Sequence, residues 1–438
     1  MTETIRTALL ELKIPQVSAF LEKADRLQHS REKLLGGEEI ISFFKFLSLE
    51  EGGYAASNAT TEDRAIRSKT FFHDSIIARA KLGQGVHDRG EAFVFAGVTP
   101  TEADRKSFSE HLPLHAKATS VLYKTVKKGE TWDITIDPRF WGLNEMEEVY
   151  TILNVGTLIL EKGARIVVRG NVFTMLCQQL ICEDINDAND FHIGIWPTPF
   201  AVDFGHGPHD GGHGENGFSG IAGVDGQPVY AQQSILGPWI AEEQVIQTGA
   251  TAGSDGTNGK EGNKGRNGGM CKLAEITIRS LQGGLHVFSQ AGTGGNGGNG
   301  GAGGDGGDGG NGGNGAAGFN KIIANGNGGG GGAGGNGAKG GNAGHGGLAS
   351  NIYIDIPVSY MRQLHLRSEP SIGGKAGAGG KKGLGGKGGD AGTTGIKVSA
   401  GKAGLNGADG STGKNGAEGR GRPGANFYVN NIPYQHIS

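Results

Sequence analysis

Apolar residues near the start of the chain recur at helical spacing. Between residues 3 and 35, Leu, Ile, Val and Phe return every three or four positions, with an interruption at Pro15. The same spacing predicts further helices over 38–49 and 61–82, the second of which begins with acidic residues that favour a helix N-terminus. We therefore predict that residues 1–90 form a small helical domain.

The pattern then changes to short runs of β-branched, aromatic and aliphatic residues. Between residues 150 and 182 such runs follow one another every seven or eight residues, separated by Gly156, Gly163 and Gly170. Three short strands of this spacing would complete one coil of about 22 residues, which is typical of stacked parallel strands. We predict a β-strand region over 91–204 that leads into a β-helix-like solenoid.

Glycine dominates the chain after position 205. Of the 86 glycines, most fall in segments where glycine occupies every third position, and in 294–318 and 328–347 a second frame is glycine as well. A period of three belongs to an extended helix with three residues per turn and no internal hydrogen bonds. Such segments must bond to neighbours, so those with two glycine frames should lie centrally. The segments with one strict frame are 211–226, 253–268, 374–395 and 401–419.

These patterns combine into one expected architecture. The predicted fold class is mainly β, with an N-terminal α-helical domain followed by a β-helix-like solenoid and a packed polyglycine II helix bundle. The bundle is expected to occupy residues 205–438, interleaved with strands of the solenoid.

Charge adds one candidate binding surface. The formal net charge is -3, which argues against nucleic acid as a general partner. Residues 371–426, however, carry nine Lys or Arg against three Asp or Glu, so this stretch could meet an anionic membrane or cell surface. Two tryptophans next to prolines are candidates for stacking on sugars. The predicted ligand-binding residues are Lys375, Lys381, Lys382, Lys387, Trp196 and Trp239.

Three histidines in one short stretch are candidate metal ligands. His206, His209 and His213 lie within eight residues, a density that could bind a divalent cation, although the spacing is not that of a standard zinc site. A solvated face of the glycine repeat, or an edge turn, is the favoured interpretation of these residues. No other cofactor is indicated, and the three cysteines imply no disulfide framework.

The sequence contains no recognisable catalytic motif, and we predict that the protein is not an enzyme. The alternative is a carbohydrate-active β-helix enzyme, which would need paired carboxylates. Acidic turns explain the available carboxylates equally well. They are Glu183, Asp184, Asp187 and Asp190.

The glycine-rich half, residues 205–426, resembles the polyglycine II sandwich of T-even-type bacteriophage tail-fibre adhesins. The resemblance implies a packed glycine bundle whose connecting loops recognise a host. It favours a non-enzymatic recognition protein, an adhesin or receptor-binding protein, whose partner is a cell-surface glycan or receptor. The N-terminal helices would attach it to an assembly partner. A bacterial toxin or virulence effector that binds host membranes, including those of an insect gut, is the alternative.

The N-terminus has no apolar signal-peptide core and no stretch of eighteen apolar residues exists. We expect a protein that is secreted or released without a classical signal peptide, as part of a virion or extracellular.

Overall fold

The computed structural model describes residues 14–71, 112–143, 148–187, 189–198, 209–242, 247–394 and 397–434. Two largely parallel β-sheets face each other, short helices cover one of them, and a layer of glycine-rich segments extends from one end. Residues 1–13 and 72–111 lie outside the described residues, and with them the start of the predicted N-terminal helix, the end of the predicted helix over 61–82 and the start of the predicted β-strand region over 91–204.

The larger sheet has nine strands. Its spatial order is β1 (Ile40–Phe46), β2 (Leu114–Val126), β4 (Val149–Leu160), β6 (Val172–Cys182), β10 (Ala274–Ile278), β15 (Ile352–Asp355), β17 (Phe427–Val429) and β18 (Ile432–Pro433), with β11 (Leu281–Gln282) also paired to β6. From β2 to β17 along this order every pairing is parallel, whereas β1 and β18 are antiparallel to their neighbours.

The smaller sheet has five strands, all paired in parallel. Its order is β16 (Leu364–Glu369), β12 (Leu285–Gln290), β7 (Ile193–Trp196), β5 (Arg165–Arg169) and β3 (Thr131–Asp133). Aliphatic side chains from both sheets meet in one core that includes Leu158, Ile166, Ile193 and Ile276, each fully buried. This burial accounts for the long apolar runs, since strands covered on both faces have little need of alternating polar positions.

Four helices are described, and they lie against the larger sheet instead of forming a domain of their own. They are α1 (Ile14–Arg26), α2 (Arg31–Leu35), α3 (Leu49–Ala56) and α4 (Thr61–Phe71). Phe20 of α1 is fully buried in a cluster with Leu122 of β2, and its carbonyl accepts a hydrogen bond of 3.0 Å from the buried amide of Asn154 in β4.

Buried charge also fastens the N-terminal part to the sheet. Arg67 of α4 has no exposed side-chain surface and forms ion pairs of 3.0 Å with Glu275 of β10 and 2.7 Å with Asp355 of β15. Its guanidinium lies over the ring of Tyr353, 4.8 Å from the centroid. These contacts join α4 to two strands that lie more than 200 residues later in the chain, so α4 is fixed against the larger sheet.

The predicted fold class was therefore wrong. The structure is mixed α/β, and its described part contains neither a helix-rich N-terminal domain nor a closed solenoid. The predicted helix over 38–49 is largely the strand β1, whose sequence IISFFKF pairs along its full length with β2. A short apolar run cannot be assigned to helix or strand by periodicity alone, and here the β-branched and aromatic residues prevail.

The expected coil of three short strands also fails, because Gly156 does not end a strand. It lies inside β4, where a β-carbon would come within 2.4 Å of the carbonyl oxygen of Leu122. Glycine is needed there for close approach of the backbone and not for a turn. Two predicted strands thus merge into one, and the same happens in β6.

The glycine layer consists of six extended segments that leave the sheets and return three times. We number them segment 1 (209–229), segment 2 (248–268), segment 3 (292–315), segment 4 (325–347), segment 5 (372–393) and segment 6 (400–421). Their backbone hydrogen bonds pass to other segments and recur at every third residue. Segments 1, 3 and 5 run in one direction and form one row, whereas segments 2, 4 and 6 run in the opposite direction and form the other.

Segments 3 and 4 are central, each bonding to four neighbours, whereas segments 1 and 6 bond to two. In segment 3, for example, Gly303 donates to the carbonyl of Lys381 in segment 5 and Gly304 donates to that of Thr257 in segment 2, both at 2.9 Å. A β-carbon at Gly304 would lie 2.0 Å from the carbonyl oxygen of Phe218. Apart from Ala338 and Ala343, every inward-frame position of segments 3 and 4 between residues 294 and 313 and between residues 326 and 347 is therefore glycine.

Candidate functional site

All three reversals of the glycine layer lie at the end away from the sheets. Residues 230–247, 316–324 and 394–399 connect the outgoing segments to the returning ones. We call the described part of these connections the distal tip. At a rise of about 3.1 Å per residue, the twenty or so residues of each extended segment hold this tip about 60 Å from the sheets.

The distal tip has a small core of its own. Val229, Ile240 and Ala316 are buried together, and Ile323 packs against them. Ile240 is fully buried although the glycine layer around it contributes almost no apolar side chains. Aliphatic packing at this one place orders the first two connections against each other.

Hydrogen bonds join the first two connections into one unit. The side-chain amide of Asn320 accepts from the backbone nitrogen of Ile240 at 3.0 Å and donates to its carbonyl at 2.8 Å. The amide of Phe319 donates to the carbonyl of Pro238 at 2.8 Å. Each connection also forms a hairpin, β8 (Gln232–Ser234) with β9 (Gly237–Trp239), and β13 (Ala316–Ala317) with β14 (Ile322–Ile323). The surface that they carry is therefore held in one conformation.

That surface exposes large apolar side chains. Ile235 and Leu236 form the turn of the first hairpin, and the second connection adds two more residues of this kind. Exposed fractions are 69% for Tyr230, 105% for Ile235, 82% for Leu236, 62% for Phe319 and 64% for Ile322. A cluster of this size on an ordered tip is typical of a contact surface, because single exposed apolar residues are common but contiguous groups are not.

The structure separates the predicted ligand-binding residues. Trp239 lies in the distal tip, half-buried in β9, with its α-carbon 3.0 Å from the position of a β-carbon at Gly318. Lys375, Lys381 and Lys387 are exposed along one outer face of segment 5. Segment 5 also carries Lys382, which lies at the edge and forms an ion pair of 2.6 Å with Asp409 of segment 6.

Trp196 lies in the sheets, far from the tip. It ends β7 and packs edge-on against Phe191 and Phe288, with ring centroids 6.0 and 5.3 Å away. The tryptophan is partly buried in this aromatic cluster. It therefore shares no surface with Trp239 or with the lysines of segment 5.

The candidate metal ligands are not brought together. His209 and His213 lie four residues apart on segment 1, which corresponds to about 12 Å in an extended segment and is too far for one ion. The Nδ1 atom of His213 instead accepts a hydrogen bond of 2.9 Å from the backbone of Asn299. His206 lies outside the described residues, and within the described ranges no three His, Cys, Asp or Glu side chains could hold a metal ion.

Asp190 is one of the four carboxylates that the alternative, a carbohydrate-active enzyme, would have needed. It accepts from the backbone nitrogen of Phe191 at 2.8 Å and pairs with Arg165 at 2.7 Å. The backbone nitrogen of Asn186 donates to the same carboxylate at 3.3 Å. Burial opposes ionisation of Asp190, but the three donors together outweigh it and hold the pKa of the carboxyl below its usual value. A carboxylate so engaged orders the turn before β7.

The residues that form the apolar tip were missed by sequence reasoning. A signal was present, since Ser234-Ile235-Leu236-Gly237 places two large apolar residues in a glycine-containing turn between two glycine segments. The sequence does not reveal that the second connection contacts the first.

Comparison of the chain with known protein families, with characterised proteins and with solved structures found no match. Among the described helices, none is both long and apolar enough to cross a membrane.

Proposed function

We propose that the chain is a non-enzymatic recognition protein that presents the distal tip to a ligand on a cell surface. The observation that carries the proposal is the exposed apolar cluster on an ordered tip. Two connections that are distant in sequence share an aliphatic core there, and two hydrogen bonds between Asn320 and Ile240 join them.

The physical argument concerns the cost of ordering a binding surface. A tip that is already fixed loses little conformational entropy when it binds, so more of the contact energy appears as affinity. Large apolar and aromatic side chains are the groups that dominate such contacts. The glycine layer contributes reach and rigidity, because every inward frame is closely packed.

The test is binding of the labelled full chain to bacterial envelope fragments, to insect midgut membrane vesicles and to protein-free liposomes. The informative variant combines Ile235→Asn with Leu236→Asn, two exposed positions in a turn. Val358→Asn is the matched control, because Val358 is 75% exposed but follows β15 in the sheet region. Melting curves establish that both variants remain folded.

We expect saturable binding to one of the cell-derived surfaces, weakened at least about tenfold by the tip variant and left unchanged by the control. Equal effects of the two variants, or no saturable binding to any surface, would contradict the proposal. Release of a trapped dye from the liposomes would instead assign the protein to membrane-damaging toxins.

A further inference from the structure

The outer face formed by segments 2, 4 and 6 carries a second feature, which lies nearer to the sheets than the distal tip. Five basic or imidazole side chains cluster on the half of this face closest to the sheets. We call them the basic patch, and they are Lys264, Lys339, His345, Lys414 and Arg420.

Hydrogen bonds fix the relative positions of these residues. The amide of Gly340 donates to the carbonyl of Lys414 at 2.9 Å, which places Lys339 and Lys414 side by side on neighbouring segments. The amide of Arg420 donates to the Nδ1 atom of His345 at 2.9 Å, so these two residues are neighbours two levels further on. That bond leaves Nε2 of the neutral imidazole as its N–H donor.

The two adjacent lysines are not explained by packing. Like charges on directly opposed positions repel each other, and small neutral residues occupy the equivalent pair of positions at Ala333 and Ala408. Glu261 of segment 2 is the nearest acid in register, since the amide of Gly262 donates to the carbonyl of Lys339. In the described part of the chain, neither Lys339 nor Lys414 forms an ion pair within 4.0 Å.

The two outer faces of the layer differ in charge. The face of segments 2, 4 and 6 carries two acids, Asp255 and Glu261, and five bases, namely Lys402 and the four Lys and Arg of the basic patch. The opposite face carries three lysines and five acids, which are Asp210, Asp225, Asp305, Asp308 and Asp390. Solubility would be served by similar charge on both faces, so it does not account for the excess of bases on one face and of acids on the other.

We propose that the basic patch binds a linear acidic polysaccharide. The extended segments present the charges on a straight array, with about 9 Å between successive levels along a segment and about 19 Å between Lys414 and Arg420. Such an array matches a chain that repeats its negative groups, and ammonium, guanidinium and imidazole groups all donate to carboxylates. Nucleic acid is the less suitable polyanion, because the outer frames of these segments contain no Phe, Tyr or Trp on which bases could stack.

The experiment measures binding of the full chain to polygalacturonate, to heparin and to short single-stranded DNA over a range of salt concentrations. The test variant combines Lys339→Gln with Lys414→Gln. The control combines Lys375→Gln with Lys381→Gln, which removes the same charge from the opposite outer face. Comparing polygalacturonate with heparin distinguishes carboxylate from sulfate as the recognised group.

We expect the test variant to bind one of the two polysaccharides about tenfold more weakly than the parent chain, with a shallower salt dependence, and the control to stay within about twofold. Three results would overturn the proposal: equal losses in both variants, tighter binding of DNA than of either polysaccharide, and no binding at low salt. The distal tip variant should retain full polysaccharide binding, so the two proposed binding sites are tested independently of each other.

Discussion

Three consecutive glycines in segment 4 test how closely the glycine layer is packed. Between residues 328 and 332 every position is glycine, yet the structure predicts opposite effects of alanine at adjacent sites. A β-carbon at Gly331 would lie 2.1 Å from the carbonyl oxygen of Gly386, and one at Gly329 would lie 1.9 Å from that of Thr251. At Gly330 the nearest atom is 3.7 Å away, which is an ordinary contact.

The magnitude follows from the hydrogen bonds that must give way. To accommodate Gly331→Ala, segments 4 and 5 must separate by about 1 Å, since the neighbour is rigid backbone and not a side chain. The amide of Gly331 also donates to Leu405 at 2.8 Å. Losing two or three such bonds at about 1 kcal/mol each, with some groups left unsatisfied, costs about 3–5 kcal/mol. Gly330→Ala instead stabilises by about 0.4–1 kcal/mol, because it restricts the unfolded chain.

Thermal unfolding followed by circular dichroism, together with amide hydrogen exchange of the glycine segments, measures the difference. We expect a lower melting temperature and faster exchange in segments 4 and 5 for Gly331→Ala, and neither change for Gly330→Ala. If the two variants behaved alike, the inward and outward frames would not be distinct and the packing described here would be refuted.

Two further predictions concern the sheets. His286 stacks on one imidazole and packs edge-on against another, and burial, followed by the charge of these neighbours, lowers its pKa to about 4. The unfolded side chain titrates near 6.5. The stability that the neutral His286 contributes to the fold is therefore complete above that pH and is lost as the pH falls toward 4. The free energy of unfolding, measured from denaturant curves across this pH range, should fall by about 1–2 kcal/mol after allowance for partial exposure, and His286→Gln should reduce this dependence on pH. Arg67→Met should lower the free energy of unfolding in urea by about 3–5 kcal/mol, because it leaves the carboxylate of Glu275 buried without its cationic partner. Lys260→Gln, which breaks an exposed ion pair, should lower it by less than about 1 kcal/mol.

The central position of segments 3 and 4 could be predicted from sequence, because glycine occupies almost every position of their two inward frames, and a segment needs this where it meets neighbours on both sides. The outward frame carries a further regularity. Asp308 accepts a hydrogen bond of 2.7 Å from the amide of Lys387, and Asn336 accepts one of 2.8 Å from that of Ser411. Asn and Asp in this frame therefore satisfy backbone donors of the next segment, a role that the sequence pattern did not disclose.

The candidate site was predicted less well than the glycine packing. Trp239 was selected because it is an aromatic residue next to a proline, and it lies in the distal tip. The lysines of segment 5, Trp196, and the pair His209 and His213 occupy three other regions. Sequence spacing could not group them, because residues on neighbouring segments of a row, 75 to 86 positions apart in the chain, become neighbours only once the segments are arranged in two rows.

A strict period of three with two glycine frames leaves an extended segment only one way to satisfy its backbone, which is to pack against others. That much the sequence determined by itself, since the requirement is local and repeats along the chain. Tertiary structure decided the rest. Only the folded chain shows that IISFFKF completes a sheet, that Gly156 admits a neighbouring carbonyl, and that the first two connections meet to form an apolar tip. Each of these depends on contacts between distant residues, and no local pattern encodes such contacts.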